Sequence, residues 1–407
     1  MTERRSALEG VRVLDLGRYQ AGPRAGLVMA RMGAEVIKVE APGGDESRAN
    51  GPFVRGQSAY WVQYNSGKKS LGINLRAEKG KEVIRELVKV SDILIQNFRP
   101  GTIDAMGLSY EVLRALNKGI IMVNVSAYGQ HGPYRDQVGF DPIGQAISGM
   151  MMLNGFEGMP PIRGFNPVID RITSLHATIG ALCALYERQF TGEGQCVDVC
   201  LADSGYTMTE IQCSAFLGAN IVPKRQGNGR GMSNVYQAMD GWVLISAQSD
   251  NIWPRFCPVI GAPEWVTDPR FATRGARDEN VAAIEERLTS WFAQQRVTEA
   301  VAKLAPLGIP VNAVNDVPAA AADPHLLARE LLVEVPDPVA GRIHVSGKSI
   351  KLSRSEVVVG QAPAPGEHTR EILSRLLKYS DADVERLEAE GVVYAAPVPT
   401  SAGRPAP

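Results

Sequence analysis

The sequence predicts an α/β protein: a large domain built from both chain ends around an open, doubly wound, Rossmann-like sheet, with a smaller α+β domain between them. Three observations predict it. Apolar runs of strand length alternate with helical patterns from Val11 to Cys200. The composition then changes at the basic, glycine-rich stretch "KRQGNGRGMSN", after which turn signals follow a different spacing. At 407 residues the chain also exceeds what one ordinary core organises. The large domain is placed at 1–225 and 326–407, and the small one at 226–325.

"VRVLDLG" is an apolar strand, "RYQAGPRAG" a loop leading into a short helix at "LVMARMG", and "AEVIKVE" a second strand. Such a β-α-β unit implies a parallel sheet with a right-handed crossover. "SLGINL", "DILIQNF" and "IIMVNVSAYG" continue the strands, with helices at "AEKGKEVIRELVKVS" and "YEVLRALNK" between them. Ligands of an open sheet sit beyond the carboxyl ends of its strands, here the loops after "LDLG", "LIQNF" and "VNVSAYG". A long apolar helix begins near Asp170, "CVDVCLAD" follows as a strand, and "YTMTEIQCSAFLG" is helical. In the middle segment "VYQAMDGWVLISA" reads as a hairpin, with Asp240-Gly241 suited to its turn. Helical patterns run through "IWPRFCPVIG", "VAAIEERLTSWFAQQ" and "VTEAVAKLAPLG". Strands in "LVEVPDPVAGRIHVSG" and a helix in "GEHTREILSRLL" close the chain, and "AAPVPTSAGRPAP" has little to bury and is expected to be mobile.

Lys and Arg number 43 against 44 Asp and Glu, so no basic excess points to nucleic acid or an anionic membrane. The five cysteines show no paired spacing and no histidine cluster, which signals neither a disulfide framework nor a metal site. The start "MTERRSALEG" lacks an apolar leader. A cytoplasmic protein that neither spans a membrane nor binds nucleic acid is expected.

Asp170, in "NPVIDRITSLHATIGAL", has two readings. Aspartate is a favoured helix N-cap, because its carboxylate accepts an orphan backbone N–H at the positive end of the helix dipole. A carboxylate on a ligand edge can also act as a nucleophile. Other candidates are individually ordinary. Gly17, Gly22 and Gly26 with Glu40 resemble a dinucleotide site, but the spacing is wrong and Pro23 removes an N–H from the turn. Gln20 is a loop amide, Asn97 caps a turn and Phe98 fills a core. Lys68, Lys69 and Arg76 read as solvated.

The joint order of several blocks is more specific. "LEGVRVLDLGRYQAGP", "GAEVIKVEAPGGDESR", "NSGKKSLGINL", "QNFRPGTIDAMGLSYE", "NPVIDRITSLHATIGAL", "TGEGQCVDVCLAD" and "PGEHTREIL" resemble the successive signatures of the class III CoA-transferases, the formyl-CoA transferase and carnitine dehydratase/bile-acid-inducible family. The resemblance runs from about residue 7 to about residue 395. It implies an interlocked homodimer, coenzyme A or acyl-CoA as substrate, no metal, and transfer of CoA to a carboxylic acid through covalent intermediates on Asp170. By the same resemblance, the N–H groups at the helix start, the Gln20 amide and the "GNGRG" loop at Gly229 are the available donors to the oxyanion, and Asp141 supports the active site. CoA contacts carry over onto Gln20, Ala21, Arg76, Asn97, Phe98, Phe140 and Gly229. Ala105 stands where formyl-CoA transferases have an arginine, so part of the phosphate grip is left to another basic residue, Arg99 being at hand.

Two alternatives stay open beside transfer. An acyl-CoA-binding protein without turnover would keep the fold. A 2-methylacyl-CoA racemase resembling this chain needs a second proton-transfer group, a histidine where this chain has Phe140, with Asp141, His131 and His176 as stand-ins. Arg163, Arg171 and Arg230 either meet a second carboxylate on a dicarboxylic substrate or pair on the surface.

Overall fold

The computed structural model describes residues 6–165 and 167–395. The chain divides into two compact units, one comprising residues up to Met151, Arg163–Ser214 and Leu327 onward, the other Met152–Ile162 and Ala215–Leu326.

The first unit is organised by a seven-stranded sheet. Its spatial order is Val393–Tyr394, Lys69–Ile73, Glu35–Glu40, Arg12–Asp15, Ile93–Gln96, Ile121–Ser126 and Cys196–Cys200. All neighbours are parallel except the first pair. The first three strands in sequence thus build outward in one direction from Arg12–Asp15, and the next three build in the other. That reversal leaves a crevice beyond the ends of Arg12–Asp15 and Ile93–Gln96.

Strand side chains alternate between two buried faces. Leu14, Ile37, Leu71, Leu94 and Met122 face the Glu78–Val88, Thr369–Leu377 and Asp381–Ala389 helices. Val13, Val36, Ile93, Ile121 and Val123 face the Ala21–Arg31 and Val168–Thr191 helices. Both faces being covered explains why these strands read as continuous apolar runs. Truncating a wholly buried leucine such as Leu14 would cost about 3–5 kcal/mol. The Val168–Thr191 helix is long and apolar enough to cross a membrane by length and composition. Its small-residue face, Ala177, Ala181 and Ala184, is nonetheless buried against the sheet layer.

Several elements differ from the sequence expectation for local reasons. "AGP", read as loop, is the first turn of the Ala21–Arg31 helix. Pro23 is tolerated there because first-turn N–H groups have no intrahelical acceptor to lose. A helix at Ala59–Asn65 was not legible; Ser58 caps it by accepting the Trp61 N–H at 3.0 Å. Trp61 and Val62 then pack with Val335, Ile343 and Val345 of the Leu332–Asp337 and Gly341–Ser346 hairpin. Lys68, expected in solvent, is buried against Asp15. The expected mobile tail falls, from residue 396, outside the described residues.

The second unit carries a three-stranded antiparallel sheet of Ser233–Ala238, Gly241–Ser246 and Val311–Ala313. Its core is aromatic, with Tyr236 stacked on Phe292 at 5.2 Å and Trp253, Phe256 and Phe271 clustered beside them. The hairpin turns on Met239-Asp240, one residue earlier than expected, because Ala238 pairs with Gly241. Asp240 is thereby free to accept the Val297 N–H at 2.8 Å and hold the start of the Val297–Leu304 helix.

Candidate active site

The crevice is shaped first by one amide. Asn97, just past the Ile93–Gln96 strand, accepts the Arg18 N–H at 2.7 Å and donates to the Arg18 carbonyl at 2.8 Å. Both ends of its side chain are thus engaged in pinning the loop that follows Arg12–Asp15. Within that loop Tyr19 adopts φ 61°, a left-handed conformation uncommon outside glycine. This turn sends the next side chain inward: Gln20 is 1% exposed. Its Nε2 has no hydrogen-bond partner among the described residues, while its Oε1 lies 3.5 Å from the Tyr60 hydroxyl. A buried, unpaired amide donor is costly unless something supplies an acceptor.

Gln20 and Ala21 line a cavity of about 510 Å³ together with Asn97, Phe98, Arg99, Ser126, Phe140 and Asp170. Phe140 meets the ring of Tyr19 edge-on, with centroids 6.1 Å apart.

Asp170 is the third residue of the Val168–Thr191 helix, not its cap. The capping position is Pro167, which has no side-chain acceptor to offer. Asp141, from the start of the Asp141–Ile147 helix, does the capping instead: one carboxylate oxygen accepts the Ile169 N–H at 2.6 Å and the Asp170 N–H at 3.0 Å. Its other oxygen accepts from Gln145 Nε2 at 2.6 Å, and Gln145 Oε1 accepts the Gly164 N–H at 2.8 Å. Asp170 therefore takes part with its backbone only, and its carboxylate accepts no hydrogen bond among the described residues. Burial, with the charge of Asp141 adding to it, pushes the Asp170 carboxyl up to about 7. A carboxylate so raised is more basic, and so more nucleophilic, than one in water, while remaining ionised in part near neutrality.

Tyr60 is a residue that sequence reasoning missed. Burial holds its hydroxyl well above the usual tyrosine range, and the charges of Tyr64 and Asp170 add to that. No pattern marks it: it lies in a seven-residue helix too short to show periodicity. Arg24 was missed too; it donates from the Ala21–Arg31 helix to Ser174 Oγ at 2.8 Å and so ties the two helices that begin at the cavity.

A second cavity of about 620 Å³ is lined by Arg76, Leu75 and Pro42, and shares Arg18, Glu46, Phe98 and Thr102 with the first. The two are therefore contiguous at Phe98. Arg76 is exposed there, and Glu40 also borders it. Glu40 does not suit a ribose, however. Its carboxylate is filled by Arg48 at 2.7 and 2.8 Å, Ser70 Oγ at 2.6 Å and the Asp45 N–H at 2.8 Å, which overturns the dinucleotide reading.

Gly229 belongs to the second unit, in a turn with φ +109° where an added Cβ would lie 2.0 Å from the Ser233 carbonyl. Neither histidine stand-in lines the cavity. His176 Nδ1 is 3.0 Å from Ser204 Oγ, and His131 is solvent-exposed beside Asp198. Arg171 lies over the Phe165 ring, 5.5 Å from its centroid, and does not line the cavity either.

Contiguous cavities, one mostly apolar with an exposed arginine, Arg76, at its wall, the other holding an unpaired carboxylate and an unpaired amide, suit a long ligand with an anionic end and a reactive acyl end. Comparisons with known proteins agree. Residues 8–369 match the family model for CoA-transferase family III. The chain is 37% identical to the succinyl-CoA–D-citramalate CoA-transferase of Chloroflexus aurantiacus, across 95% of this chain and 98% of that one. It is 32% identical to the human succinyl-CoA:glutarate CoA-transferase, across 95% and 90%. The crystal structure of a CAIB/BAIF family protein from Brucella suis superposes with a TM-score of 0.82 at 32% identity, covering 92% of this chain and all of that one. This chain belongs to CoA-transferase family III and is an enzyme of that class, a transferase of coenzyme A.

Proposed function

We propose that the enzyme moves CoA from an acyl-CoA thioester to a carboxylic acid through covalent intermediates on Asp170. The observation that carries this is the division of labour at the helix start: Asp141 satisfies the backbone N–H groups, so the raised, unpaired Asp170 carboxylate faces the cavity free to react. An Asp170 oxygen attacks the thioester carbonyl, the C–S bond breaks, and CoA thiolate leaves a mixed aspartyl anhydride. The thiolate attacks the aspartyl carbonyl, releasing the first acid and leaving an aspartyl-CoA thioester. An incoming carboxylate then attacks the aspartyl carbonyl of this thioester, expelling CoA thiolate and forming a second mixed anhydride, and the thiolate attacks the new acyl carbonyl, releasing the new acyl-CoA and the free Asp170 carboxylate. Each tetrahedral oxyanion needs a donor that is otherwise idle, and the Gln20 Nε2 fits that need.

Arg76, which lines only the second cavity, and Phe98, which lines both, are assigned to the nucleotide end of CoA. Arg99, exposed and without an ion-pair partner among the described residues, supplies the basic group that Ala105 does not. Relatives that use succinyl-CoA support a dicarboxylic donor or acceptor. The working form is a homodimer, as the resemblance implies. Leu175, Ile179, Leu182, Tyr186 and Phe190 support it, an apolar stripe along the outer side of the long helix, each 38–73% exposed. A monomer by light scattering with full activity would contradict the dimer.

The test of function is direct. With succinyl-CoA as donor and a panel of mono- and dicarboxylic acids, new thioesters should form only when an acceptor acid is present, and dicarboxylates should be preferred. Succinyl-CoA hydrolysis with no acceptor-dependent thioester would reject transfer. Binding without any turnover would identify the non-catalytic alternative.

A further inference from the structure

Gly17, Gly22 and Gly26 follow the first strand at a spacing that fits no dinucleotide fingerprint, and the structure shows what the first and last of them surround, Gly22 packing instead on Gly17. A Cβ on Gly17 would lie 2.9 Å from one Asp15 carboxylate oxygen, and a Cβ on Gly26 would lie 2.9 Å from the other. The turn that elsewhere closes on a pyrophosphate closes here on the protein's own carboxylate. That carboxylate is held by a lysine. Lys68 Nζ lies 2.7 Å from Asp15 Oδ2, and neither side chain has any exposure.

The ammonium has three donors and all three are used. Besides Asp15, it donates to the Pro23 carbonyl at 2.7 Å and to Asn65 Oδ1 at 3.0 Å. These acceptors belong to three different segments: the end of the Arg12–Asp15 strand, the first turn of the helix that directly follows Gln20, and the last residue of the Ala59–Asn65 helix that carries Tyr60. Asp15 in turn accepts the Gly17 N–H at 2.9 Å, and Lys38 donates to the Gly17 carbonyl. Asp15, Lys68 and Asn65 do not line the cavity themselves.

A buried ion pair contributes little net stability, because desolvation offsets the attraction. What this one provides is placement. We propose that Lys68 is a positioning residue for the transfer reaction: its ammonium locks together the segments carrying Gln20 and Tyr60, and so aims the Gln20 amide into the cavity that Asp170 faces. The inference rests on the reading of Gln20 as the oxyanion donor.

The test neutralises the pair in place with Asp15→Asn plus Lys68→Met, which removes both of its charges together. The folded double variant should keep its melting temperature within several degrees and its KM for acyl-CoA within about 3-fold, while kcat falls roughly 10- to 100-fold, the cost of displacing a catalytic group by about 1 Å. In a Gln20→Ala background the same pair of changes should cost less than about 3-fold more, because the donor it positions is already gone. Should the double variant not fold, Lys68→Arg, which keeps the charge and moves its donors, carries the same expectations. An unchanged kcat, or losses that multiply in the Gln20→Ala background, overturns the positioning role alone. Gln20→Ala leaving kcat intact overturns the donor role of Gln20, and the positioning role stated through it.

Discussion

One carboxylate oxygen of Asp141 accepts the backbone N–H groups of both Ile169 and Asp170, at 2.6 and 3.0 Å. Two aspartates thus share one helix start, one carboxylate engaged with its backbone and the other unpaired among the described residues. Asp141→Asn keeps an acceptor for the N–H groups but removes the charge that helps hold the Asp170 carboxyl up. The acid limb of kcat/KM, which follows Asp170 ionisation, should move to lower pH. Asp141→Ala should also lose capping worth about 1–2 kcal/mol, read as a lower melting temperature. An acid limb unmoved in Asp141→Asn would mean that another group sets it.

Stability should report the same carboxyl. Folding raises Asp170 from 3.8 to about 7, so its protonated form is favoured in the fold. That contribution is complete below about pH 4 and is lost as pH rises through 7. Asp170→Asn, neutral throughout, should therefore melt roughly 1–3 °C above wild type at pH 8 and no higher than wild type at pH 4. Equal differences at both pH values would contradict the raised carboxyl.

Arg76 borders only the second cavity, away from Asp170. Arg76→Ala should raise KM for acyl-CoA about 10-fold through loss of a phosphate contact and leave kcat nearly unchanged. A fall in kcat with constant KM would move Arg76 to the reacting end.

Racemisation needs a proton donor and acceptor on opposite sides of the α-carbon, and the residue beside Asp141 is Phe140, an apolar ring against Tyr19. With 2-methylacyl-CoA in deuterated water no deuterium should enter the α-carbon while acid-dependent CoA exchange proceeds. Deuterium incorporation at turnover rates would replace transfer with proton chemistry.

The parallel strands were legible because apolar runs between helical patterns leave few alternatives, and the ligand edge followed from their order. The role of Asp170 was not legible in its own neighbourhood. An aspartate near a helix start reads as a cap, and only Asp141, 29 residues earlier and packed against it, frees it. Tyr60 lies in a helix too short to show a period. Lys68 was misread for a related reason: a lysine's partners are set by tertiary contacts, here Asp15 across 53 residues of sequence. The glycines near Asp15 carried a signal, close approach, but not what approaches.

The central claim is that Asp170 bonds covalently to the substrate's acyl group and then to CoA. Wild-type enzyme incubated with acyl-CoA and quenched with hydroxylamine should yield an aspartyl hydroxamate, located by peptide mass spectrometry at residue 170. Asp170→Ala should give no adduct and no transfer while still binding acyl-CoA. Hydroxamate at another residue, or transfer running at wild-type rate in Asp170→Ala, would contradict the account.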